Sequence, residues 1–490
     1  MLDRSSAWSQ AVAGLQQFWG YNQFRPLQGE AVTSLLMHQD TLVMLPTGSG
    51  KSICFQLPAL LQPGLTVVIS PLIALMENQV HALQEKGLPA EAIHSQLSSQ
   101  QRRQTLKKIE HRQLRLLYLS PESLLSKPVW ERLCDPHLQL QNLIVDEAHC
   151  ITQWGSSFRP VYRRLGSVRP ALTHPKAAPS SALTIAAYTA TANSSVQKDI
   201  IQVLKLRKPG ILSVSPYRPN LDLKVDIAWS PACRRQQLLR FIRPQRALSG
   251  LIFTSSRRLS ESLATWLIRH HLRTEAYHAG LSAWQRRQIE AQWLKGDLPF
   301  VVCTSAFGMG IDKPDVRWVA HYHPPLSLSA YLQEIGRAGR DNLRSQTLLL
   351  ASEPTGWLDP QDRQIRHYHC QHLKQQHRSA QRLMPKLPRK GHIDEVTQNH
   401  PGADLALALL HEGGCLEWED PFHFRIKASH PFNTSALKPQ LDMVDYLYTR
   451  QCRWQFILQR FGFPPKAQPF HCGHCDRCRS AKGHFLYSRT

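Results

Sequence analysis

The stretch Thr41-Leu42-Val43-Met44-Leu45-Pro46-Thr47-Gly48-Ser49-Gly50-Lys51-Ser52 decides the architecture. An apolar, β-prone run feeds a glycine-rich turn that points backbone N–H groups at phosphate oxygens. Thr47, Gly48, Ser49 and Gly50 form the turn, and the two glycines allow tight curvature and close backbone approach. Lys51 reaches the outer phosphates, and the Ser52 hydroxyl can ligate Mg²⁺. A helix starting near Lys51 adds its positive end. Leu45 stands where the usual pattern has its first glycine, so the bare pattern match is imperfect. Further on comes Leu143-Ile144-Val145-Asp146-Glu147-Ala148-His149. Asp146 ends a buried-looking strand, where a carboxylate is costly without a cation; this predicts a Mg²⁺ ligand. Glu147 is placed to orient or deprotonate a water. A third motif, Gln333-Glu334-Ile335-Gly336-Arg337-Ala338-Gly339-Arg340, carries an arginine pair. The three describe a nucleoside triphosphate held by one domain and completed by another, the layout of a motor.

Around these motifs, β-like runs alternate with helical stretches. The first series is Thr41 to Leu45, Leu65 to Ser70, Arg115 to Ser120, Asn142 to Asp146 and Leu183 to Thr189. The second is Leu223 to Trp229, Leu251 to Thr254, Phe300 to Thr304, Trp318 to His323 and Thr347 to Ala351. Alternation of this kind predicts parallel sheets with helices on both faces, so two α/β domains. Both phosphate motifs fall at strand ends, where ligands bind in such sheets. The expected domains are 1–208, 209–353, a basic linker and winged-helix-like segment at 354–436, and a metal-binding module at 437–490. The boundary between the first two falls near Lys208-Pro209-Gly210, and His174 to Ala182 reads as a surface loop.

Composition narrows the partner. The 490 residues include 59 Lys and Arg against 36 Asp and Glu, a formal charge of +23. That balance favours a polyanion, most simply nucleic acid. There is no apolar run of about 18 residues to span a membrane, and MLDRSSAWSQ lacks a secretory stretch. The expectation is a soluble intracellular chain, in the cytoplasm (at the nucleoid in a bacterium) or in a eukaryotic nucleus. Eleven cysteines do not make a disulfide scaffold at this length.

The tail departs from the α/β pattern. Arg363 to Lys390 holds eight Lys or Arg, four His and no acid. It reads as a basic helix or linker, either a solvated face or a contact with phosphates. Ala403 to Leu410 is helical in pattern, and Gly413-Gly414 stops it. Cys415 to Glu419 and His423 to Lys427 can form a hairpin around Asp420-Pro421. Helices followed by a hairpin fit a small winged-helix unit. Finally, Cys452, Cys472, Cys475 and Cys478 read C-x19-C-x2-C-x2-C, a strong signal for tetrahedral Zn²⁺, with a redox dithiol as the rival. Cys452 lies in the amphipathic stretch Tyr446 to Phe461, read as a helix.

These residues resemble the RecQ DNA helicases of superfamily 2 over about 15–353 and again over about 437–478. The segment Tyr21-Asn22-Gln23-Phe24-Arg25-Pro26-Leu27-Gln28 looks like that family's adenine motif. The resemblance implies that Tyr21 stacks on the base while Arg25 and Gln28 hydrogen-bond near its edge. His149 to Arg164 resembles the aromatic-rich loop that couples single-stranded DNA to ATP hydrolysis, which nominates Trp154, Phe158, Arg159 and Tyr162 as DNA contacts. Stacking aromatics and phosphate-holding arginines fit that role. The alternative is packing of Trp154, Phe158 and Tyr162, spaced by four; Pro160 argues against one uninterrupted helix. Ser70 to Leu75, Tyr188 to Ala192, Tyr277 to Gly280 and Ala306 to Pro314, with Asp312 on the nucleotide side, also match. Arg337 and Arg340 resemble the arginine finger, which can contribute roughly 10³–10⁵ in rate. The resemblance implies four cysteine ligands to Zn²⁺, with ATP and Mg²⁺ in the first domain. It implies 3′-to-5′ movement in DNA recombination and repair, with single-strand-binding or recombination proteins as partners. Other Asp-Glu-Ala-His helicases act on RNA, and an RNA helicase of that class is the second reading; a non-catalytic DNA-binding adaptor is the third. Few residues follow Cys478, so the family's further C-terminal domains are not expected, and an extra segment of about 370–435 precedes the zinc module.

Overall fold

Seven parallel strands form the first sheet: β1 (Thr41–Met44), β2 (Leu65–Ile69), β3 (Ala90–Ile93), β4 (Leu116–Leu119), β5 (Leu140–Val145), β6 (Thr184–Thr189) and β7 (Gly210–Ser213), in the order β3-β4-β2-β5-β6-β1-β7. The chain is described from a computed structural model over residues 3–46, 48–152, 159–173, 183–307, 313–427, 442–464 and 470–480. Side chains alternate across each strand. Leu42 and Met44 enter one core and Val43 enters the other, and Leu143 and Val145 are likewise split from Ile144. Strands buried on both faces read as unbroken apolar runs, which is why they were legible in the sequence.

The second sheet is also parallel: β8 (Leu221–Ala228), β9 (Gly250–Phe253), β10 (Thr274–Tyr277), β11 (Phe300–Cys303), β12 (Trp318–His321) and β13 (Ser345–Ser352), ordered β10-β11-β9-β12-β13-β8. All ten expected strands are present. Three more, β3, β7 and β10, were not expected. β7 moves the domain boundary from 208 to 214, because Gly210–Ser213 pairs with β1. Its register is fixed by Asp40, whose carbonyl accepts from the Gly210 N–H and whose carboxylate takes Arg169 at 2.6 Å, the Ile185 N–H and the Arg207 N–H.

The two parts of the tail attach to different units. One unit comprises Met1–Leu45, Ser49–Val214 and His372–Leu437; the other comprises Pro46–Gly48, Ser215–Gln371 and Lys438–Thr490. The basic stretch is helical over Gln361–Leu383. After it come β14 (Lys390–His392), helices Ile393–Asn399 and Ala403–Glu412, β15 (Leu416–Trp418) and β16 (His423–Ile426). The three short strands pair antiparallel in the order β14-β16-β15, and the short turn His400-Pro401-Gly402 joins the two helices. The unit has its own core of Leu407, Leu416, Trp418 and Phe424. The zinc stretch is two helices, Asp442–Tyr448 and Arg453–Arg460, rather than one. Cys452 caps the second helix instead of lying inside it, since the Gln451 N–H turns back to the Thr449 hydroxyl. The expected loop at 174–182 lies outside the described residues. Among the described residues no helix is long and apolar enough to cross a membrane.

Candidate nucleotide site and metal centre

The candidate nucleotide site lies at the carboxyl ends of β1, β5 and β6. Gly50 has φ +76°, a left-handed conformation that favours glycine, and a Cβ there would press on the Gln28 amide at 2.6 Å. The following helix, Ile53–Leu61, begins at Ser52, close to where the pattern placed it. Lys51 Nζ lies 3.6 Å from Glu147 Oε1. Asp146 is 5% exposed. Burial first, and then the Glu147 charge, push its carboxyl up to about 6, while Lys51 pulls the other way. A buried carboxylate raised in this manner is one that a nearby cation would return to its charged form. Glu147 has φ +49°, a left-handed backbone conformation uncommon for a side chain of this kind.

His149 was quoted in the motif but given no task. Its Nδ1 lies 3.2 Å from Glu147 Oε2 and 3.0 Å from Thr189 Oγ1. Burial lowers the imidazole, but Cys150 and Glu147 outweigh it and push its pKa up to about 10. The carboxylate is thereby tied to the end of β6. The signal was available, since Tyr188 to Ala192 was already a matched motif, but a sequence does not give the bond between two motifs.

The base-side residues divide. Tyr21 is 56% exposed and free to stack. Arg25 is exposed. Gln28 is buried, and its amide is engaged within the chain. Its Oε1 accepts from the Arg25 N–H at 2.9 Å, and its Nε2 donates to the carbonyls of Ser49 and Gly50 at 2.8 and 3.1 Å. In this structure Gln28 therefore ties the base-side segment to the phosphate turn. Thr47 and Asp312 lie outside the described residues, as do Trp154 and Phe158.

Of the expected DNA contacts that are described, Arg159 is at the surface, its Nη1 3.3 Å from Glu122 Oε2. Tyr162 is a correction. It is 0% exposed and belongs to the core of the first domain, so no base can stack on it. An aromatic among arginines reads as surface, but the 3₁₀ helix Pro160–Ser167 turns it inward.

In the second unit, helix Leu328–Ile335 leads into Gly336-Arg337-Ala338-Gly339-Arg340. Gly339 has φ +58°, and a Cβ there would lie 2.5 Å from Asn220 Nδ2. Its carbonyl accepts from that amide at 2.8 Å. Close backbone packing thus fixes the segment that carries both arginines. Arg337 is 7% exposed.

The sulfurs of Cys452, Cys472, Cys475 and Cys478 all lie within 4.8 Å of one another. Two pairs, Cys472–Cys478 and Cys475–Cys452, stand at 3.9 Å. A tetrahedron with Zn–S bonds of about 2.3 Å has edges of about 3.8 Å. Four sulfurs converging on one centre fit Zn²⁺, whereas a redox dithiol needs two. His474 faces Asp222 and Tyr217 and takes no part.

This fold and site define a two-domain, nucleotide-dependent helicase. Residues 25–200 match the DEAD/DEAH box helicase model, 233–342 the helicase conserved C-terminal domain and 423–479 the RecQ zinc-binding model. The chain is 50% identical to an ATP-dependent DNA helicase RecQ of Synechocystis sp., covering 98% of this chain and 99% of that one. It is 39% identical to the Pasteurella multocida ATP-dependent DNA helicase RecQ, covering 69% of this chain and 52% of that protein. Among solved structures, Mycobacterium smegmatis helicase Lhr bound to ssDNA and AMP-PNP shares the fold, with a TM-score of 0.56 and 19% identity over 86% of this chain and 60% of that one. The chain belongs to the RecQ family and is an ATP-dependent DNA helicase with a RecQ-type zinc module. The RNA-helicase and adaptor readings fall to the full-length relative.

Proposed function

We propose that the chain couples ATP hydrolysis to 3′-to-5′ movement on single-stranded DNA and so separates duplex strands in recombination and repair. The observation that carries the nucleotide half is the convergence of Lys51, Asp146 and Glu147 at adjoining strand ends. In this reading Lys51 leaves Glu147 for the outer phosphates, and Glu147 orients or deprotonates the attacking water. Ser52 and Asp146 hold Mg²⁺, which neutralises developing charge. The turn Thr47 to Gly50 cradles the phosphates, Tyr21 and Arg25 take the base, and Gln28 holds the turn against them. Asp312 serves on the nucleotide side. Arg337 and Arg340 stabilise charge on the transferred phosphoryl. Trp154, Phe158 and Arg159 contact the strand. The four cysteines hold structural Zn²⁺, closed to substrate. Single-strand-binding or recombination proteins are the fitting partners, at a bacterial nucleoid.

Lys51→Ala should keep the fold and lose ATP turnover by roughly 10²-fold or more. Strand displacement on duplexes with a 3′ or a 5′ tail tests direction. Unwinding that requires a 3′ tail supports the reading, and unwinding that requires a 5′ tail overturns it.

A further inference from the structure

The loop joining β13 to helix Gln361–Leu383 holds an indole out in water. Trp357 is 84% exposed, the most of any large hydrophobic side chain among the described residues, and neighbouring Leu358 is 61% exposed. Lone exposed apolar residues are common. This one differs because the loop beneath it is built to keep it there.

Glu353 is 2% exposed and organises the loop from inside. Its Oε2 accepts from the Thr355 N–H and hydroxyl, both at 2.6 Å, and from the Gly356 N–H at 2.8 Å; its Oε1 accepts from the Leu358 N–H at 2.8 Å. These bonds, led by the Thr355 hydroxyl, hold its carboxyl down at about 2, so the clasp persists at any working pH. The far end is pinned by Arg234, which is 0% exposed. It bonds Asp359 Oδ2 at 2.7 Å and Asp362 Oδ2 at 3.1 Å. Asp362 also accepts from the Ser352 N–H at 2.6 Å. A loop tied at both ends by buried polar groups does not collapse over its own tryptophan.

The same bonds set the charge of the surface. Between 353 and 368 the only carboxylates are Glu353, Asp359 and Asp362, and all three are turned inward. Arg363 is exposed, with its stem 3.4 Å from the position of a Cβ on Gly356. What this loop presents to solvent is an aromatic side chain and a cation, with its own three carboxylates turned inward. Because the sheet is parallel, this loop leaves the same edge as the ends of β9, β10 and β11. Ligands of such sheets bind along that edge.

We propose that Trp357 is a stacking platform for an unpaired DNA base, with Arg363 holding an adjoining phosphate. An aromatic face accepts any base, so the contact is sequence-tolerant. It is separate from the DNA contacts read in the first domain, and either can fail without the other.

The test uses the full chain with a labelled oligothymidylate and an abasic oligonucleotide of equal length. Trp357→Ala should weaken oligothymidylate binding by about tenfold. Trp357→Phe should keep most of the affinity, and neither variant should change abasic binding, DNA-independent ATP turnover or zinc content. Arg363→Ala should weaken both ligands and lower the slope of log affinity against log salt by about one. Wild-type binding of oligothymidylate by Trp357→Ala, or equal loss on both ligands, overturns the platform. An unchanged salt slope in Arg363→Ala overturns the phosphate contact.

Discussion

Each of the two α/β units carries a small appendage, and the two are attached by different physics. The segment spanning β14 to β16 on the first unit brings its own core and docks through charge and aromatic faces. Arg163, 4% exposed, reaches Glu412 at 3.3 Å. Arg164 donates to the Pro421 carbonyl at 2.6 Å and lies over the rings of Trp418 and Phe422. Phe422 meets Trp130 edge-on. The zinc module on the second unit has no core of its own. Trp454, Tyr446 and Cys475 belong to the core of the second sheet, and the Trp454 indole N–H donates to the Leu221 carbonyl. A segment with enough apolar residues folds by burial and needs the host only for position. One too short for that borrows the host's core and adds a metal. The comparison also bears on function. Helix Ala403–Glu412 reads from sequence as part of a winged-helix-like unit, a kind of unit in which a helix can face nucleic acid. Here that helix, Ala403–Glu412, is mostly buried and packs along the 3₁₀ helix Pro160–Ser167. Its apolar face is taken up by packing within the chain.

The largest effect should come from the metal. Cys475→Ser should remove Zn²⁺ and folding free energy on the order of 10 kcal/mol in apparent terms. Hydrogen exchange should rise through Asp442–Arg460 and along β8, while β1 to β6 stay protected. If protection is lost equally in both units, the modules are not attached independently.

The winged-helix dock should break more gently. Arg163→Ala should cost about 1–3 kcal/mol, below the usual figure for a broken buried pair because Glu412 is 25% exposed. Arg164→Ala should cost about 1 kcal/mol. Both should raise exchange at Ala403–Glu412 without changing zinc content. Unchanged exchange there in the Arg163 variant would mean that the Arg163–Glu412 pair does not hold the dock.

A pH dependence is expected in the same dock. Burial, then Arg163 and Lys205, lower the His411 imidazole from 6.5 to about 4. The unfolded segment therefore takes up the proton first. The dock keeps its full stability above about pH 6.5 and loses it as pH falls toward 4. His411→Gln should flatten that profile in exchange at Ala403–Glu412; a profile equally steep in the variant would assign the dependence to other groups.

The sequence resolved the strands and the phosphate motifs because both rest on local pattern. Runs such as Leu143-Ile144-Val145 are apolar on both faces, and the turn chemistry at Gly50 and Lys51 is contiguous. What it did not resolve depends on distant partners. β7 is short and half-buried, and only its pairing with β1 makes it a strand. β14 is Lys390-Gly391-His392, with no apolar signal, and exists through β16. The dock joins Arg164 to Pro421, far apart in the chain. Tyr162 was misplaced for the same reason: its neighbours are arginines, but its contacts are a core.

The central claim is that the strand-end cluster around Lys51 hydrolyses ATP for a DNA motor, and the Glu147→Gln variant tests it most directly. Its carboxylate is the group assigned to the water, while Lys51 and the phosphate turn remain. The measurement is ATP turnover with saturating single-stranded DNA, beside nucleotide affinity in the same protein. The account predicts retained nucleotide binding and a loss of DNA-stimulated turnover of roughly 10²-fold or more. Turnover near that of the wild type, with nucleotide bound, would contradict it.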